Sequence, residues 1–541
     1  MNTTEFLSIA TLICPDKVAI VFEGKRYIFS QLNGRVKRLG NALSNLGIQK
    51  GDRIAMLQVN CSQCVEVYFA VAELGGIYVP LNFRCKGNEL TYMLNSAEAN
   101  TLFVGERYID LINSIKPDLA SVKNFVSIES QCEGMLSYEE MIASSPADEI
   151  FTEINDDETA ILVYTAGTTG FPKGVMLSHN SFTTYVLENV DPAAPELEEK
   201  NILTVPLYHV AGIQAMMAAV YGGRTLVIER QFEPKEWMEL VEVEKVNRAM
   251  MVPTMLKQVM DHPDFTKHDL SSLKVITYGA DRMPLEVIKK AVDIFPGVSF
   301  INAFGQTETA STITTLSPKD HNITGTEEEK EKKLKRLSSI GKPMSDVEMK
   351  VIDEEGNALP VGQVGEVVAR GPRVMAGYWK DQEKTEETID KEGWVHTGDM
   401  GYVDEDGYFF LVGRATDMIV RGGENISPEE VEAVLYSHSK VDDAAVFGAP
   451  DEEWGEVPMC VIVLKEGETA TAEELMEHCR DLLASYKRPR SVVFVDELPR
   501  NPMGKVLKRV LREQHGKAFN PRDDNLRGSA AGREDEVTTS E

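Results

Sequence analysis

The densest chemistry in the chain lies in Tyr164-Thr-Ala-Gly-Thr-Thr-Gly-Phe-Pro-Lys-Gly174. An apolar stretch, Ala160 to Val163, reads as a strand running into it. Glycines let backbone N–H groups approach an anion closely, hydroxyls add donors, and a lysine adds charge. The segment is therefore built to handle phosphate. It is not a Walker A loop, which needs Gly directly before Lys, whereas Pro172 precedes Lys173. A second lysine, Lys505, follows Pro499, Pro502 and Gly504 and precedes the helix-like stretch Val506 to Gln514. That setting holds its cation on a rigid turn.

Other reactive side chains carry less. His209 follows an apolar stretch, where a lone histidine is usually a satisfied core residue. Cys61 and Cys64 have the spacing of half a metal site, but no second pair of ligands follows, so they read as ordinary thiols. The seven cysteines are odd in number and scattered, which suggests no disulfide framework.

These residues need a scaffold, and helical and strand patterns alternate through the first ~400 residues. Phe29 to Leu46 reads as an amphipathic helix, Arg53 to Leu57 as a strand, Glu66 to Leu74 as a helix and Gly76 to Pro80 as extended chain. Such alternation predicts an α/β fold. Glu327 to Arg336 is a charge run, read as solvated surface. A boundary is expected near Gly413 to Asp417; after it Ser427, Pro428 and Glu430 have the spacing of a helix N-terminus. The expected organisation is a large N-terminal domain over 1–413, a hinge at 414–417, a small mobile α/β domain over 418–527 and a disordered tail over 528–541.

The loop resembles the signature of adenylate-forming enzymes, the superfamily of acyl-CoA synthetases, firefly luciferase and peptide-synthetase adenylation domains. Further stretches match in the expected order: Pro206-Leu-Tyr-His209, Tyr278-Gly-Ala280, Phe304-Gly-Gln-Thr-Glu308, His396-Thr-Gly-Asp399, Gly413-Arg-Ala-Thr-Asp417, Gly422-Gly-Glu-Asn425 and Pro499-Arg-Asn-Pro-Met-Gly-Lys505. The resemblance covers about residues 10 to 515.

It implies a two-step reaction. A carboxylate attacks the α-phosphate of ATP and releases pyrophosphate; the thiol of CoA then displaces AMP. Both partners of the first step are anions, so catalysis means positioning and charge neutralisation. By resemblance, Thr165, Ala166, Gly167, Thr168, Thr169, Gly170 and Lys173 cradle the β- and γ-phosphates. Gly279, Ala280, Phe304, Gly305 and Gln306 border the nucleotide, with Phe304 stacked on adenine. Thr307 binds the α-phosphate, Glu308 holds Mg2+, Asp399 takes the ribose hydroxyls and Arg414 makes a second ribose or phosphate contact. Lys505 swings in for adenylation, and His209 gates access between carboxylate and thiol. Gly422, Gly423 and Glu424 line a tunnel for CoA. The family usually has Asp or Lys at the pivot, where this chain has Thr416 followed by Asp417. The pivot is expected at Thr416, with Asp417 supplying the contacts.

The chain lacks a carboxylate between Pro206 and Tyr221, which argues against an amino-acid substrate. Ala211, Gly212, Gly279 and Ala280 are small, so a bulky apolar acyl group is expected. A medium- or long-chain fatty acid is favoured narrowly over an aromatic or alicyclic acid. Absence of a carrier domain favours soluble CoA over an acyl carrier protein as acceptor. Thr307, Glu308, Asp399 and Lys505 occurring together argue against a catalytically dead binding module.

Composition bounds the partners. The 541 residues carry 56 basic and 86 acidic side chains, a net charge of −30, which disfavours a nucleic-acid partner. No apolar run reaches the ~18 residues of a membrane helix, so no integral membrane association and a cytoplasmic location are expected. A homodimer is one compatible assembly. One strip runs against the total charge: Lys487 to Arg512 holds eight basic residues against two acids, Asp496 and Glu497. It reads as a surface for ATP phosphates and for steering CoA.

Overall fold

A computed structural model describes residues 1–165, 172–422, 424–451, 454–500 and 504–516. The fold is α/β, as the alternating pattern predicts, and forms two compact units that divide between Leu411 and Val412.

The first unit is built on two large sheets. One runs in the order Lys342–Pro343, Ser311–Leu316, Ser299–Gln306, Val275–Gly279, Arg248–Met251, Lys200–Leu203, Thr225–Ile228, Val18–Phe22, Lys25–Ile28. Six strands, from Ser299–Gln306 to Val18–Phe22, are parallel, and antiparallel strands flank them. The other runs Gly377–Tyr378, Lys173–Ser178, Thr159–Thr165, Ile77–Pro80, Arg53–Leu57, Thr101–Val104, Asn124–Ser127, Leu136–Ser137. Ile77–Pro80 and Thr101–Val104 are buried at every position, because parallel strands have both faces covered. A third sheet places Glu348–Ile352, Gly365–Arg370, Val395–Val403 and Phe409–Arg414 side by side.

Helices fill the faces. Phe29–Asn45 buries Phe29, Leu32, Val36, Leu39 and Leu43 at three- and four-residue intervals and shares a core with Ser62–Glu73. The latter starts earlier than its pattern suggests: it is buried almost throughout, so it shows no amphipathic period. Cys61 and Cys64 are buried in this core with their sulfurs 3.5 Å apart. The charge run Glu327–Arg336 is a helix without a buried residue, started by a capping box between Thr326 and Glu329.

The second unit joins Ile419–Arg421, Glu424–Ile426, the hairpin Val441–Asp451 with Gly455–Leu464, and the parallel strand Ser491–Phe494. Helix Pro428–Tyr436 starts as its sequence predicts, with Ser427 Oγ accepting from the Glu430 N–H at 3.1 Å. It packs with Ala472–Leu482 over Ile419, Val446 and Ile462. No helix among the described residues is long and apolar enough to cross a membrane.

Candidate active site

The phosphate-loop segment is presented by a hairpin. Thr159–Thr165 and Lys173–Ser178 pair antiparallel, with Thr165 opposite Lys173, so the ladder fixes both ends of the loop. Ala166, Gly167, Thr168, Thr169 and Gly170 lie outside the described residues. On its other side Lys173–Ser178 pairs with Gly377–Tyr378, setting Tyr378 opposite Val175. That pairing brings the Tyr378 ring beneath Lys173, whose Nζ lies 5.4 Å from the ring centre. Tyr378 Oη donates to Glu308 Oε1 at 2.9 Å. Burial pushes the Tyr378 hydroxyl well up, and the Glu308 carboxylate adds to this, so the donor stays protonated. Burial holds the Lys173 ammonium below its ordinary range and Lys384 adds to that, while Asp381 and Glu308 oppose it.

Glu308 and Thr307 sit in a single 3-10 turn, Thr307–Thr309, following the strand Ser299–Gln306. The Gln306 N–H donates to Thr309 Oγ1 at 3.0 Å, and Thr307 is buried. Gly305 lies at a register shift, and a Cβ there would fall 1.4 Å from the Ser311 carbonyl, so only glycine fits. The Gln306 side chain then reaches across to the third sheet. Its Nε2 donates to Asp399 Oδ2 and to the Thr397 carbonyl, each at 2.8 Å. Asp399 is 5% exposed. Phe304 is half-buried and packs on the core of that sheet, against residues including Ile340 and Val367.

Gly279 and Ala280 end the neighbouring strand. A Cβ on Gly279 would lie 2.0 Å from the Ala303 carbonyl, and one on Gly212 would lie 2.4 Å from the Pro206 carbonyl. These glycines are small because backbone passes close by, which corrects the reading that they open space for a bulky acyl group. Ala280 has φ +67°, a left-handed conformation that costs an alanine about 1 kcal/mol.

His209 caps the helix Val210–Tyr221, its Nδ1 accepting from the Ala211 N–H at 3.3 Å. Burial brings its pKa down to about 4, so the ring is neutral and carries its proton on Nε2. The same helix lines a cavity of about 120 Å3 with residues of the nine-stranded sheet, among them Thr277 and Ala303. Thr277 and Ala303 lie on the strands that end at Gly279 and run on through Phe304 to Gln306.

The remaining predicted residues belong to the second unit. Arg414 ends a strand, and its carbonyl accepts from the N–H groups of Asp417 (2.9 Å) and Met418 (3.0 Å), closing a turn that exposes Thr416. Asp417 accepts from Arg512 at 3.2 Å. Gly422 has φ +59°, its N–H donates to the Trp454 carbonyl at 2.8 Å, and a Cβ there would meet the Trp454 ring at 2.9 Å. Glu424 opens the next strand, and Gly423 lies outside the described residues. Lys505 is exposed, between Arg500 and Val506, which bridge, and after Gly504 at φ +78°.

The basic strip differs from its reading as open positive surface. Lys487 pairs with Glu430, Arg500 with Asp443, Lys508 with Glu432 and Glu429, Arg509 with Glu513 and Arg512 with Asp417. These carboxylates all lie outside the strip, so a count along it missed them.

Sequence reasoning passed over Tyr378, Arg224 and Arg248. Tyr378 had one weak signal, the Gly377-Tyr378-Trp379 run, with Gly377 at φ +141° where a Cβ would meet Thr385. For Mg2+, no group of three or more His, Cys, Asp or Glu among the described residues could hold a metal unaided. Glu308 alone with phosphate oxygens and water is nevertheless a usual Mg2+ shell, so the residues fit.

Comparison with known proteins identifies the family. Residues 12–379 match the model of the AMP-binding enzyme family, and 430–505 match the AMP-binding enzyme C-terminal domain. Indoleacetate–CoA ligase of Aromatoleum aromaticum is 32% identical over 95% of this chain and 98% of its own length. Feruloyl-CoA synthase of an Amycolatopsis species is 33% identical, covering 93% and 96%. The crystal structure of ATP-bound MatB from Rhodopseudomonas palustris superimposes with a TM-score of 0.86 at 28% identity, over 96% of this chain and 100% of that one. The chain belongs to the AMP-binding, adenylate-forming enzyme family and is an AMP-forming acid–thiol ligase of the acyl-CoA synthetase type.

Proposed function

We propose that the protein converts a compact carboxylic acid, ATP and CoA into the acyl-CoA, AMP and pyrophosphate. The observation that carries this reading is the grouping of Lys173, Tyr378 and Glu308. Close by in the chain, Gln306 ties Asp399 to the residues leading into Glu308. Lys173 and the loop before it hold the β- and γ-phosphates, and Thr307 the α-phosphate. Glu308, oriented by Tyr378, offers a hard oxygen to Mg2+, which neutralises phosphate charge when bound. Asp399, oriented by Gln306, accepts from the ribose. Lys505 neutralises the charge gathering between carboxylate and α-phosphate. Neutral His209, the cap of the helix that lines the acyl cavity, controls passage between carboxylate and thiol. The second unit pivots at Thr416 and presents Gly422 to Glu424 to the CoA thiol.

A cavity of about 120 Å3 favours a small acyl group over a medium- or long-chain fatty acid. The names of the two relatives above are those of enzymes for aromatic acids.

The test is a purified-enzyme assay with ATP, a panel of acids and either CoA or a carrier protein, read by pyrophosphate release and product mass. Thioester on CoA is expected; thioester on carrier alone overturns the acceptor. Lys505→Ala is expected to lose acid-dependent ATP–pyrophosphate exchange and to keep the thioester step from preformed acyl-adenylate. Equal loss of both steps overturns the role of Lys505.

A further inference from the structure

The cavity beside helix Val210–Tyr221 is not the apolar slot expected of a fatty-acid site. Arg224, Arg248, Asn189, Asn201 and Gln214 line it together with Tyr185, threonines and aliphatic side chains, and no carboxylate does. Arg248 and Asn201 are register neighbours on parallel strands, and Arg224 directly precedes the next strand, Thr225–Ile228. Both guanidinium groups lean on one carboxylate, Glu199, 2.7 Å from Arg224 Nε and 3.5 Å from Arg248 Nη1. Two cations sharing one anion leave positive charge at the cavity wall. Gln214 adds a donor. It is 4% exposed, its Oε1 accepts from Thr312 Oγ1 at 3.1 Å, and its buried Nε2 has no partner. Burying such a donor unpaired is costly, so the arrangement awaits an acceptor.

We infer that the acid carries a second carboxylate at its far end, held by Arg248 and Arg224 with Gln214 donating to it. This rests on the reading above that the acyl group enters this cavity. A planar guanidinium matches a carboxylate with two parallel hydrogen bonds, and the surplus charge offsets the anion's loss of water. An apolar end of the same size would leave both the charge and the Gln214 donor unanswered. The lining also includes Thr277 and Ala303, on strands that continue to Gly279 and Phe304, so the far carboxylate would sit at the opposite end from the one that is adenylated.

Two isosteric pairs test it: glutarate against its methyl-branched monoacid isostere, and terephthalate against para-isopropylbenzoate. The readout is the ratio of kcat/KM for AMP release within each pair. In at least one pair the diacid is expected to win by about tenfold or more, and Arg248→Met to cut that ratio to below about threefold. A monoacid that equals or beats the diacid in both pairs overturns the inference, as does an unchanged ratio in Arg248→Met. If that variant does not fold, Gln214→Leu and the wild-type ratios decide. If no acid releases AMP, the ligase reading fails instead. Calorimetric titration of the wild type with both diacids then still tests the cavity: saturable binding absent for the monoacids upholds it, and no binding overturns it.

Discussion

Tyr378 links the cation of the phosphate hairpin to the carboxylate of the Thr307–Thr309 turn, two residues that never meet in sequence. Tyr378→Phe keeps the ring under Lys173 and removes the hydrogen bond to Glu308. A hydrogen bond to a charged group contributes about 1.5–3 kcal/mol, so kcat/KM for pyrophosphate release is expected to fall at least about tenfold. The Mg2+ concentration for half-maximal rate should rise as well. A lower rate with an unmoved Mg2+ dependence would make Tyr378 a packing residue only. The contrast with Lys173 and Glu308 marks the limit of sequence reading at this scale. Those two stand in compact runs of types suited to anions and metals, whereas Tyr378 lies 70 residues from Glu308 and arrives through strand pairing. Arg224 and Arg248 were hidden in the same way, since register across a parallel sheet sets which of their neighbours share a cavity.

Helix His179–Asn189 shows how an element's start can govern stability. His179 is 1% exposed, and its Nδ1 is 2.8 Å from Thr3 Oγ1. Burial lowers its pKa to about 4, against weaker raising by Glu158 and Asp156. The folded ring therefore stays neutral while an unfolded one takes up a proton near pH 6.5. Its stabilising contribution is complete above that pH and is lost as pH falls toward 4, by roughly 2–3 kcal/mol. His179→Gln is expected to flatten the fall of the urea midpoint between pH 7 and pH 5. A midpoint curve as steep as the wild type's would assign the acid sensitivity to other groups. Elements with an exposed face were legible: Arg53–Leu57 is the strand its pattern predicts, and Phe29–Asn45 ends one residue from its expected limit. Ser62–Glu73 was clipped at its start because a helix buried all round has no polar face to read.

The whole molecule is strongly acidic, yet it works on polyanions. The strip from Lys487 to Arg512 does not supply the missing positive field, because five of its cations are matched by carboxylates of their own unit. Burial pulls the Lys508 ammonium down, but Glu432 and Glu429 outweigh this and hold it above its ordinary range. Under the proposed function, the charge that meets ATP is local, at Lys173 and at Lys505 within the strip, and not a field spread along it. Replacing both Lys487 and Arg509 with Gln is expected to change the KM for ATP less than about twofold and to leave its salt dependence intact. A severalfold rise that disappears in high salt would restore the strip as a docking field. Net charge was legible from composition, but its distribution depended on pairings made only in the folded unit.

Helix Val210–Tyr221 begins at His209, carries Gln214 into the cavity wall and is buried along nearly its whole length. Gly212 rides directly on the Pro206 carbonyl, so the helix has no slack to shift. The His209 cap and this side of the cavity wall are thus one rigid piece. A lineage changing its preferred acid would find single substitutions on this helix felt at the catalytic end as well. New specificities should then arise first on the strand side, at Asn201, Arg224 or Arg248, where a side chain can change without disturbing His209.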